Sequence, residues 1–343
     1  MAARQKPKPT ETIALMASSC TAAASALTAR VCTGLRFLWT AFILAHGVLT
    51  ALSATAAETA TPLKVKVSTD IVYASVDGVQ LKCDVYTPAD GETAGARPAV
   101  LLIHGGAWSA GSRRTMGGYG MRLARAGMVA VAIDYRLAPT WKFPTQVDDV
   151  RLAMLWAAEQ ADQLGINPQR IGLFGYSAGG HLACMIGTLV DEPLETRLAT
   201  TSWASDDPRL QQLPQPLAIC AGGPPCDLTV LSPKNGGLAF FLGGSPAEVP
   251  KAYVAASPIS HASAGDVPTL YVHGERDAIV PHDSSRSLYE AQRKAGVQSE
   301  FLTIPKQGHL YTFICSETAE ATVEFFQKWL QPQPPQSIPK SSL

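Results

Sequence analysis

Residues 171–181 read IGLFGYSAGGH, and this stretch decides the fold. Its first four residues form a short apolar run typical of a buried strand, and the residues after Ser177 are rich in Ala and Leu, as in a helix. Residues 175–179 have the pattern Gly-x-Ser-x-Gly. Such a tight turn strains the serine backbone and lifts its hydroxyl clear of the sheet, and the two glycines relieve the crowding. The pattern predicts that Ser177 is a nucleophile; the alternative is a glycine-rich turn that only packs closely.

Short apolar runs of the same kind recur on both sides of this stretch and alternate with segments of helical period. The runs cover residues 99–103, 128–133, 217–219, 269–272 and 301–304. Continuous apolar strands separated by helices indicate an α/β fold with a parallel sheet covered on both faces. Helices are predicted over residues 146–164, where Gly165 follows, and near 116–126, 178–190, 284–295 and 317–330.

The chain before this sheet differs from the rest in pattern. Residues 64–88 alternate apolar and polar side chains around Asp77-Gly78, which predicts an antiparallel hairpin of two entry strands. Residues 189–216 resist assignment because Pro, Asp and Thr interrupt every periodic pattern there. A segment of this length is often functional, and we expect a surface excursion beside the active site.

The two termini differ in composition from the body of the chain. A basic start and an Ala-, Ser- and Thr-rich segment precede an apolar run over 37–52, and small residues follow at 53–57. This order is typical of an export signal cleaved near Ala56, although 35–52 could serve as an uncleaved anchor. We therefore expect a signal or membrane-proximal segment at 1–57 and a secreted or periplasmic protein with no stable membrane span after cleavage.

The remaining chain is predicted to form one catalytic domain over residues 58–331, followed by a disordered tail at 332–343 that is rich in Pro, Gln and Ser. Lys and Arg number 28, as do Asp and Glu, and the body has no long run of either sign. This balance argues against a nucleic-acid partner and against a polybasic membrane patch. A neutral substrate, small or extended, is expected.

Seven cysteines are present, of which Cys20 and Cys32 would be lost with the signal. Five would remain, and an odd number leaves at least one free thiol. Cys220 and Cys226 are close enough in sequence to form a disulfide in an oxidising compartment, but both lie near the end of a predicted core strand. Two buried thiols are the alternative.

A serine hydroxyl needs a base to remove its proton, and the base must itself be oriented. In the strand–turn–helix setting of Ser177, the acid and the histidine follow in that order at the carboxyl ends of later strands. The run at 269–272 leads into HGERD and the run at 301–304 into PKQGH. We therefore predict that His309 is the base and that Asp277 orients it.

Other acids and histidines fit these roles less well. Asp283 lies where the next helix begins and is more naturally a cap, and Asp266 precedes its strand, at the wrong edge of the sheet. His181 lies in the helix after Ser177 and is expected to pack, and His273 is expected to be buried in its strand with its hydrogen bonds satisfied.

Residues 104–108, HGGAW, follow the first parallel strand and offer an oxyanion hole. Acyl transfer builds an oxyanion, and each preorganised NH donor aimed at it is worth about 2.7–4 kcal/mol. Glycines let the backbone turn its NH groups toward the serine. The predicted donors are the NH groups of Gly106, Ala107 and Ala178.

Three neighbours are predicted to support this hole. Gly105 would shape the turn, and His104 would brace the loop through side-chain hydrogen bonds rather than act as a base. Trp108 would either line the substrate cleft or take a half-buried packing role.

Five segments together resemble the hormone-sensitive-lipase-like and acetyl-xylan/feruloyl-esterase-like branch of the α/β-hydrolases. The segments are HGGAW at 104–108, DYRLAP at 134–139, FP at 143–144, GYSAGGH at 175–181 and GERDAIVP at 274–281. The resemblance spans about 72–330. It implies a mostly parallel sheet with helices on both faces, and a carboxylesterase with no cofactor or metal whose catalytic triad matches Ser177, Asp277 and His309.

Two departures from the family pattern bear on the substrate. The third glycine of the usual His-Gly-Gly-Gly is Ala107 here, which still donates an NH but leaves less space beside the acyl group. Only about forty residues separate the predicted cleavage site from the first core strand, and the hairpin occupies them, so no large N-terminal lid is expected. A site without a lid resembles the carbohydrate esterases, which act on acetyl or feruloyl groups.

The leading hypothesis is therefore a serine carboxylesterase that acts through an acyl-enzyme on short-chain or carbohydrate-linked esters, either small molecules or oligosaccharides. Amide hydrolysis, as in arylformamidases or prolyl-type peptidases, is the second hypothesis. A catalytically silent hydrolase fold used for binding is the third.

Overall fold

The computed structural model of the chain describes residues 64–89, 96–231 and 236–331. Contacts divide the chain into two units, Met1–Thr61 and Pro62–Leu343, and every described residue belongs to the second. The export signal expected at 1–57 and the tail expected at 332–343 lie outside the described residues, and both stay predictions.

One sheet of eight strands forms the centre of the described chain, in the order β1-β2-β4-β3-β5-β6-β7-β8. The strands are β1 (Val65–Val76), β2 (Val79–Pro88), β3 (Arg97–Ile103), β4 (Val129–Ile133), β5 (Ile166–Tyr176), β6 (Ala218–Gly222), β7 (Thr269–Gly274) and β8 (Glu300–Ile304). β1 and β2 form the predicted antiparallel hairpin, and β2 joins β4 antiparallel. The strands from β3 to β8 are parallel to their neighbours, which confirms the predicted fold class.

Helices cover both faces of this sheet because its strands are apolar on both sides. In β3, Leu101 and Ile103 pack toward one face, whereas Val100 and Leu102 pack toward the other, and all four are fully buried. The larger helices are α1 (Gly117–Arg125), α2 (Thr145–Glu159), α4 (Ala178–Thr188), α9 (His282–Ala295) and α11 (Ser316–Leu330). Residues of α2, α4 and α9 join the first cluster, and residues of α1 and α11 join the second.

Shorter helices account for most differences from the sequence-based expectations. The helix predicted over 146–164 is broken at Gln160 into α2 and α3 (Ala161–Leu164), and Gly165 ends it in a left-handed conformation as expected. The other short helices are α5 (Leu194–Leu198), α6 (Arg209–Gln212), α7 (Gly236–Leu242), α8 (Pro250–Ala255) and α10 (His309–Ile314). Among the described residues, no helix precedes Arg113 and none is long and apolar enough to cross a membrane.

The segment at 189–216 was expected beside the active site, but the structure places it at the opposite edge of the sheet. It leaves α4 at the end remote from Ser177, because α4 runs back from the carboxyl edge of the sheet to the amino edge. It returns there too, since the NH of Leu217 donates to Ile171, where the apolar part of β5 begins. Between these ends, Thr201 and Ser202 donate hydrogen bonds to Asp148 of α2, so the segment packs along that helix.

Cys220 and Cys226 are both free and buried, so the structure shows two buried thiols and not the disulfide that their spacing allowed. The Cys220 side chain packs on the face covered by α11, 3.4 Å from Thr322 Oγ1, and burial raises its pKa to about 12. Cys226 belongs to the cluster on the other face of the sheet. Because the two thiols lie on opposite faces, a disulfide between them would require the chain after β6 to be rebuilt.

A buried ion pair fixes the chain that follows β4. Arg136 donates to both carboxylate oxygens of Asp149, at 2.6 Å from Nη2 and 3.0 Å from Nε, and its backbone NH adds a bond of 2.8 Å. The Asp149 side chain is fully buried, and burial raises its pKa against the lowering effect of Arg136. The guanidinium of Arg136 also donates from Nη1 to Asp77, at 2.6 Å, and this bond connects it to the turn of the hairpin.

Replacing Arg136 with methionine is expected to lower the free energy of unfolding by about 3–5 kcal/mol, because Asp149 would be left as an unpaired buried charge. Urea denaturation measures the loss. Asp77→Asn is the matched control: the Asp77 side chain is 58% exposed, so its pairing with Arg136 contributes at most about 1 kcal/mol. Equal losses in the two variants would contradict the assignment of the stabilisation to the buried pair.

Candidate active site

Ser177 lies at the carboxyl end of β5 and caps the N-terminus of α4 with a backbone that few non-glycine residues adopt, at φ 55° and ψ −120°. The close approach of β5, α4 and β3 enforces this turn. A Cβ on Gly175 would collide with the carbonyl oxygen of Gly179, and one on Gly179 would collide with that of Ile103. Both glycines of the Gly-x-Ser-x-Gly pattern are thus required by contacts with backbone, which cannot give way as a side chain can.

Asp277 and His309 meet at the same edge of the sheet, after β7 and after β8. His309 Nδ1 lies 2.5 Å from Asp277 Oδ2, and the two side chains are 6% and 0% exposed. The other carboxylate oxygen accepts the NH groups of Ile279 and Val280, each at 2.9 Å. Since Nδ1 donates to Asp277, the imidazole has Nε2 available to accept a proton.

Nε2 of His309 is buried and has no hydrogen-bond partner among the described residues. The Ser177 hydroxyl is therefore not bonded to it in this conformation, although both residues belong to one rim. Their neighbours connect them: the Tyr176 hydroxyl donates to the carbonyl of His309 at 2.6 Å. Hydrogen bonds between base and nucleophile are often long in free enzymes and tighten when substrate binds.

Gly223, which follows β6, lies directly beside the imidazole of His309 and leaves little room there for a side chain. A Cβ at this position would lie 3.0 Å from Cε1 of His309 and 3.6 Å from Oδ2 of Asp277. The preceding residue, Gly222, accepts a hydrogen bond of 2.7 Å from the NH of Ser177. The end of β6 therefore touches the nucleophile on one side and the histidine–aspartate pair on the other.

A second histidine, His273, also contacts Asp277. Its Nε2 lies 3.2 Å from Asp277 Oδ2 and 3.0 Å from the carbonyl of Val280, and its Nδ1 lies 2.6 Å from the hydroxyl of Ser285. The sequence predicted a buried, satisfied histidine but missed its contact with the acid. The spacing was the available signal, since a residue at the end of β7 and one four positions later meet where the chain turns.

The environment of Asp277 favours its ionised form. Burial by itself would raise the pKa of this carboxyl, but hydrogen bonds from His273, His309 and the NH of Val280 outweigh burial and hold the pKa well below its usual range. Asp277 is therefore negatively charged at neutral pH, and it can compensate a positive charge that forms on His309.

The loop after β3 presents NH groups beside Ser177. Gly106 and Ala107 both have positive φ, at 120° and 50°, and among the described residues no acceptor faces their NH groups. Gly105 places the loop, since a Cβ there would lie 3.2 Å from the Cβ of Ser177. Ala178 begins α4, where the first NH groups have no partner within the helix and the helix dipole favours negative charge. The three predicted donors therefore belong to the two segments that adjoin Ser177, and their role as an oxyanion hole stays a prediction.

The side chains that flank this loop are buried and hold it in place. His104 Nδ1 lies 2.8 Å from the carbonyl of Gly105, the ring stacks on Tyr135 at 4.2 Å, and burial lowers its pKa. Trp108 stacks on Phe241 at 4.3 Å and donates from Nε1 to Nδ1 of His181 at 3.2 Å. Of the two roles left open for Trp108, the structure therefore shows packing.

His181 completes this support from α4. Its Nδ1 accepts from Trp108, so Nε2 carries the proton and donates to the carbonyl of Ala256 at 2.7 Å. Burial lowers the pKa of His181 to about 4, which keeps the ring neutral and suited to one donor and one acceptor bond. The loop after β3, which is predicted to form the oxyanion hole, is thereby connected to α4, the helix that follows Ser177.

Comparison with known proteins places this arrangement among esterases. The family model described as BD-FAE matches residues 83–292, more than half of the chain. Esterase LipC of Mycobacterium tuberculosis is 32% identical over 236 residues, which cover 66% of this chain and 56% of that protein. The chain thus spans about half the length of the curated relatives that it matches first.

Solved structures of esterases also resemble this chain, and the match covers more of their length than it does for the curated relatives. The apo form of esterase 2 from Thermogutta terrifontis is 30% identical, with a TM-score of 0.63 over 79% of this chain and 97% of that one. A truncated carbohydrate esterase from gut microbiota has a TM-score of 0.66 at 24% identity, over 78% of this chain and 97% of that one, and supports the fold alone. The resemblance found in the motifs is confirmed: the chain belongs to the BD-FAE family and is an α/β-hydrolase of the hormone-sensitive-lipase-like type.

Proposed function

We propose that the protein is a serine carboxylesterase that hydrolyses short-chain or carbohydrate-linked esters, with acetyl or feruloyl acyl groups, through an acyl-enzyme. One observation carries the proposal. A buried imidazole is bonded to an ionised carboxylate and has an unpaired Nε2, at the same edge of the sheet at which a serine is held in a strained turn. This is the arrangement that acyl transfer requires of nucleophile, base and orienting acid.

In the first step, Ser177 Oγ attacks the ester carbonyl while Nε2 of His309 takes its proton. The carbonyl oxygen becomes an oxyanion held by the NH groups of Gly106, Ala107 and Ala178. When the tetrahedral intermediate collapses, the bond to the alcohol breaks and Nε2 returns the proton to the leaving oxygen.

In the second step, water attacks the acyl carbon on Ser177 while Nε2 of His309 takes a proton from the water. The bond between the acyl carbon and Oγ then breaks, Nε2 returns the proton to Oγ, and the carboxylic acid is released. Asp277 stabilises the imidazolium that forms in each step and is not itself protonated. No step of this reaction requires a metal ion. Among the described residues, no three or more His, Cys, Asp or Glu side chains are grouped so that they could hold one.

Relatives support the choice of short acyl groups. Esterase 2 of T. terrifontis has been solved with propionate and with butyrate bound, and modified by paraoxon. Another relative, 40% identical over 118 residues, is an ethyl acetate hydrolase of Pseudomonas putida. Ala107 is consistent with a small acyl group, because its methyl group narrows the space beside the oxyanion loop.

A panel of acetyl, butyryl, octanoyl and feruloyl esters, with acetylated xylan, tests the proposal. We expect the highest kcat/KM for an acetyl, butyryl or feruloyl ester and little activity on octanoyl esters. Formyl-kynurenine and proline peptides, assayed at the same enzyme concentration, test for amide hydrolysis. Faster turnover of either amide than of every ester would overturn the assignment.

Ala107→Gly is expected to raise kcat/KM for a feruloyl ester relative to an acetyl ester by about tenfold, since one methyl group in an acyl pocket is worth about 1–3 kcal/mol. Glycine adopts the positive φ of this position without strain. Ala204→Gly, at an exposed turn, is the matched control for added backbone freedom. An unchanged ratio of the two esters in Ala107→Gly would show that residue 107 does not limit acyl size.

A further inference from the structure

A cavity of about 240 Å³ lies far from Ser177, where the segment at 189–216 packs on α2 and α4. Its wall includes Leu189, which follows α4, whereas Ser177 precedes that helix. The twelve residue steps from Ser177 to Leu189, through the eleven residues of α4, correspond to about 18 Å. The cavity is therefore separate from the catalytic rim.

Most of this wall is apolar. The apolar residues that line it are Met154, Ile186, Leu189, Val190, Leu210, Leu213, Pro214 and Pro216. A wholly apolar cavity of about 150 Å³ is large enough to bind benzene. A cavity of 240 Å³ therefore has room for an aromatic ring or a short alkyl chain together with one polar group.

Two guanidinium groups, those of Arg151 and Arg197, also line the cavity, and only Arg151 has a carboxylate within 4 Å among the described residues. Arg151 is buried and donates to Asp148 at 3.2 Å and to Thr200 at 2.7 and 3.1 Å. Arg197 has no carboxylate within 4 Å among the described residues, and its Nε is buried without any hydrogen-bond partner. A buried donor without a partner costs free energy, and an arginine donor costs more than a neutral one.

Asp148 cannot neutralise both arginines. Its two oxygens already accept bonds from Arg151, Thr201 and Ser202, the last through both its NH and its hydroxyl. Arg197 is close enough to act on Arg151: burial lowers the pKa of Arg151, and the charge of Arg197 lowers it further, against the effect of Asp148. Of the two arginines at the cavity, Arg197 is thus the one with no carboxylate within 4 Å among the described residues, and its Nε has no acceptor.

We propose that this cavity binds a small carboxylic acid with an apolar body, its carboxylate on Arg197 beside Arg151 and its ring or alkyl chain against the apolar wall. A guanidinium offers parallel donors that match a carboxylate. An inorganic anion would leave the apolar wall uncovered, and a neutral molecule of the same shape would leave Arg197 without a carboxylate.

Isothermal titration of the full chain with benzoate tests the proposal, with benzamide and inorganic phosphate as the neutral and the inorganic probes. We expect saturable binding of benzoate at millimolar concentration or below, and binding at least about tenfold weaker for benzamide and for phosphate. Equal or tighter binding of either comparison probe, or no saturable binding of benzoate, would overturn the proposal.

Arg197→Gln locates the site. It is expected to weaken benzoate binding at least about tenfold. It should leave the hydrolysis of a short acyl ester unchanged, because Arg197 of α5 lines a cavity at the end of α4 that is remote from Ser177. Arg114→Gln removes the same charge from an exposed position and should leave benzoate affinity as in the wild type. If Arg197→Gln binds benzoate as the wild type does, the acid binds elsewhere and the proposal fails. The titration does not depend on turnover, so its outcome is independent of the proposed esterase activity.

Discussion

Replacing Ser177 with alanine is expected to lower kcat for a short acyl ester by about a million-fold, as the loss of the serine does in a comparable triad. The variant keeps the NH donors of the oxyanion loop but has no oxygen with which to form the acyl-enzyme. A residual rate above that of water is expected, since oxyanion stabilisation alone retains some catalysis. Steady-state kinetics with an acetyl ester measures the change.

Ser260→Ala is the matched control, because Ser260 is exposed and distant in sequence from the three catalytic candidates. Both variants should keep the thermal midpoint of the wild type within a few degrees. A fluorophosphonate probe should label the wild type and Ser260→Ala but not Ser177→Ala. Retained labelling or turnover in Ser177→Ala would remove the serine from the mechanism and leave the glycine-rich turn as a packing device.

Asp277→Asn should lower kcat by about 10⁴-fold, with a much smaller change in KM. The carboxylate accepts the Nδ1 proton of His309 and so keeps Nε2 free for the serine. An asparagine at this buried position could turn its NH₂ toward the imidazole, which would force the proton onto Nε2 and leave no base. The same steady-state assay measures this loss.

Asp283→Asn is the matched control, since Asp283 was the competing acid in the sequence and its side chain is 96% exposed. This variant should retain full activity. If Asp283→Asn lost activity and Asp277→Asn did not, the assignment of the acid would be wrong, whatever the distance between Asp277 and His309.

The features that could be predicted from sequence are those that depend on short stretches. The apolar runs predicted the parallel strands because each run is buried on both faces, and the turn dipeptide Asp77-Gly78 predicted the hairpin. The three catalytic candidates could be named because each lies within five residues of the end of an apolar run, and parallel strands bring their carboxyl ends to one edge. The assigned roles of these residues, and of the NH donors around them, stay predictions until they are tested.

Features that depend on contacts between distant segments could not be predicted. The long helix breaks at Gln160, although nothing in the local sequence pattern interrupts it there. The packing of Trp108 depends on Phe241, which is 133 positions later in the chain, and periodicity gives no information about such a pairing. The cavity around Arg197 likewise joins side chains of α2, α4 and an irregular segment.

The connection between β6 and β7 has a consequence for engineering the enzyme. At its start Gly223 abuts the imidazole, and further along Phe241 supports Trp108 and the Ala256 carbonyl anchors His181. A library aimed at new selectivity should spare these buried positions and diversify Phe240 and Val254 instead, which are 56% and 51% exposed on the same connection. Randomising Phe241 would remove the ring on which Trp108 stacks and would loosen the loop that is predicted to form the oxyanion hole.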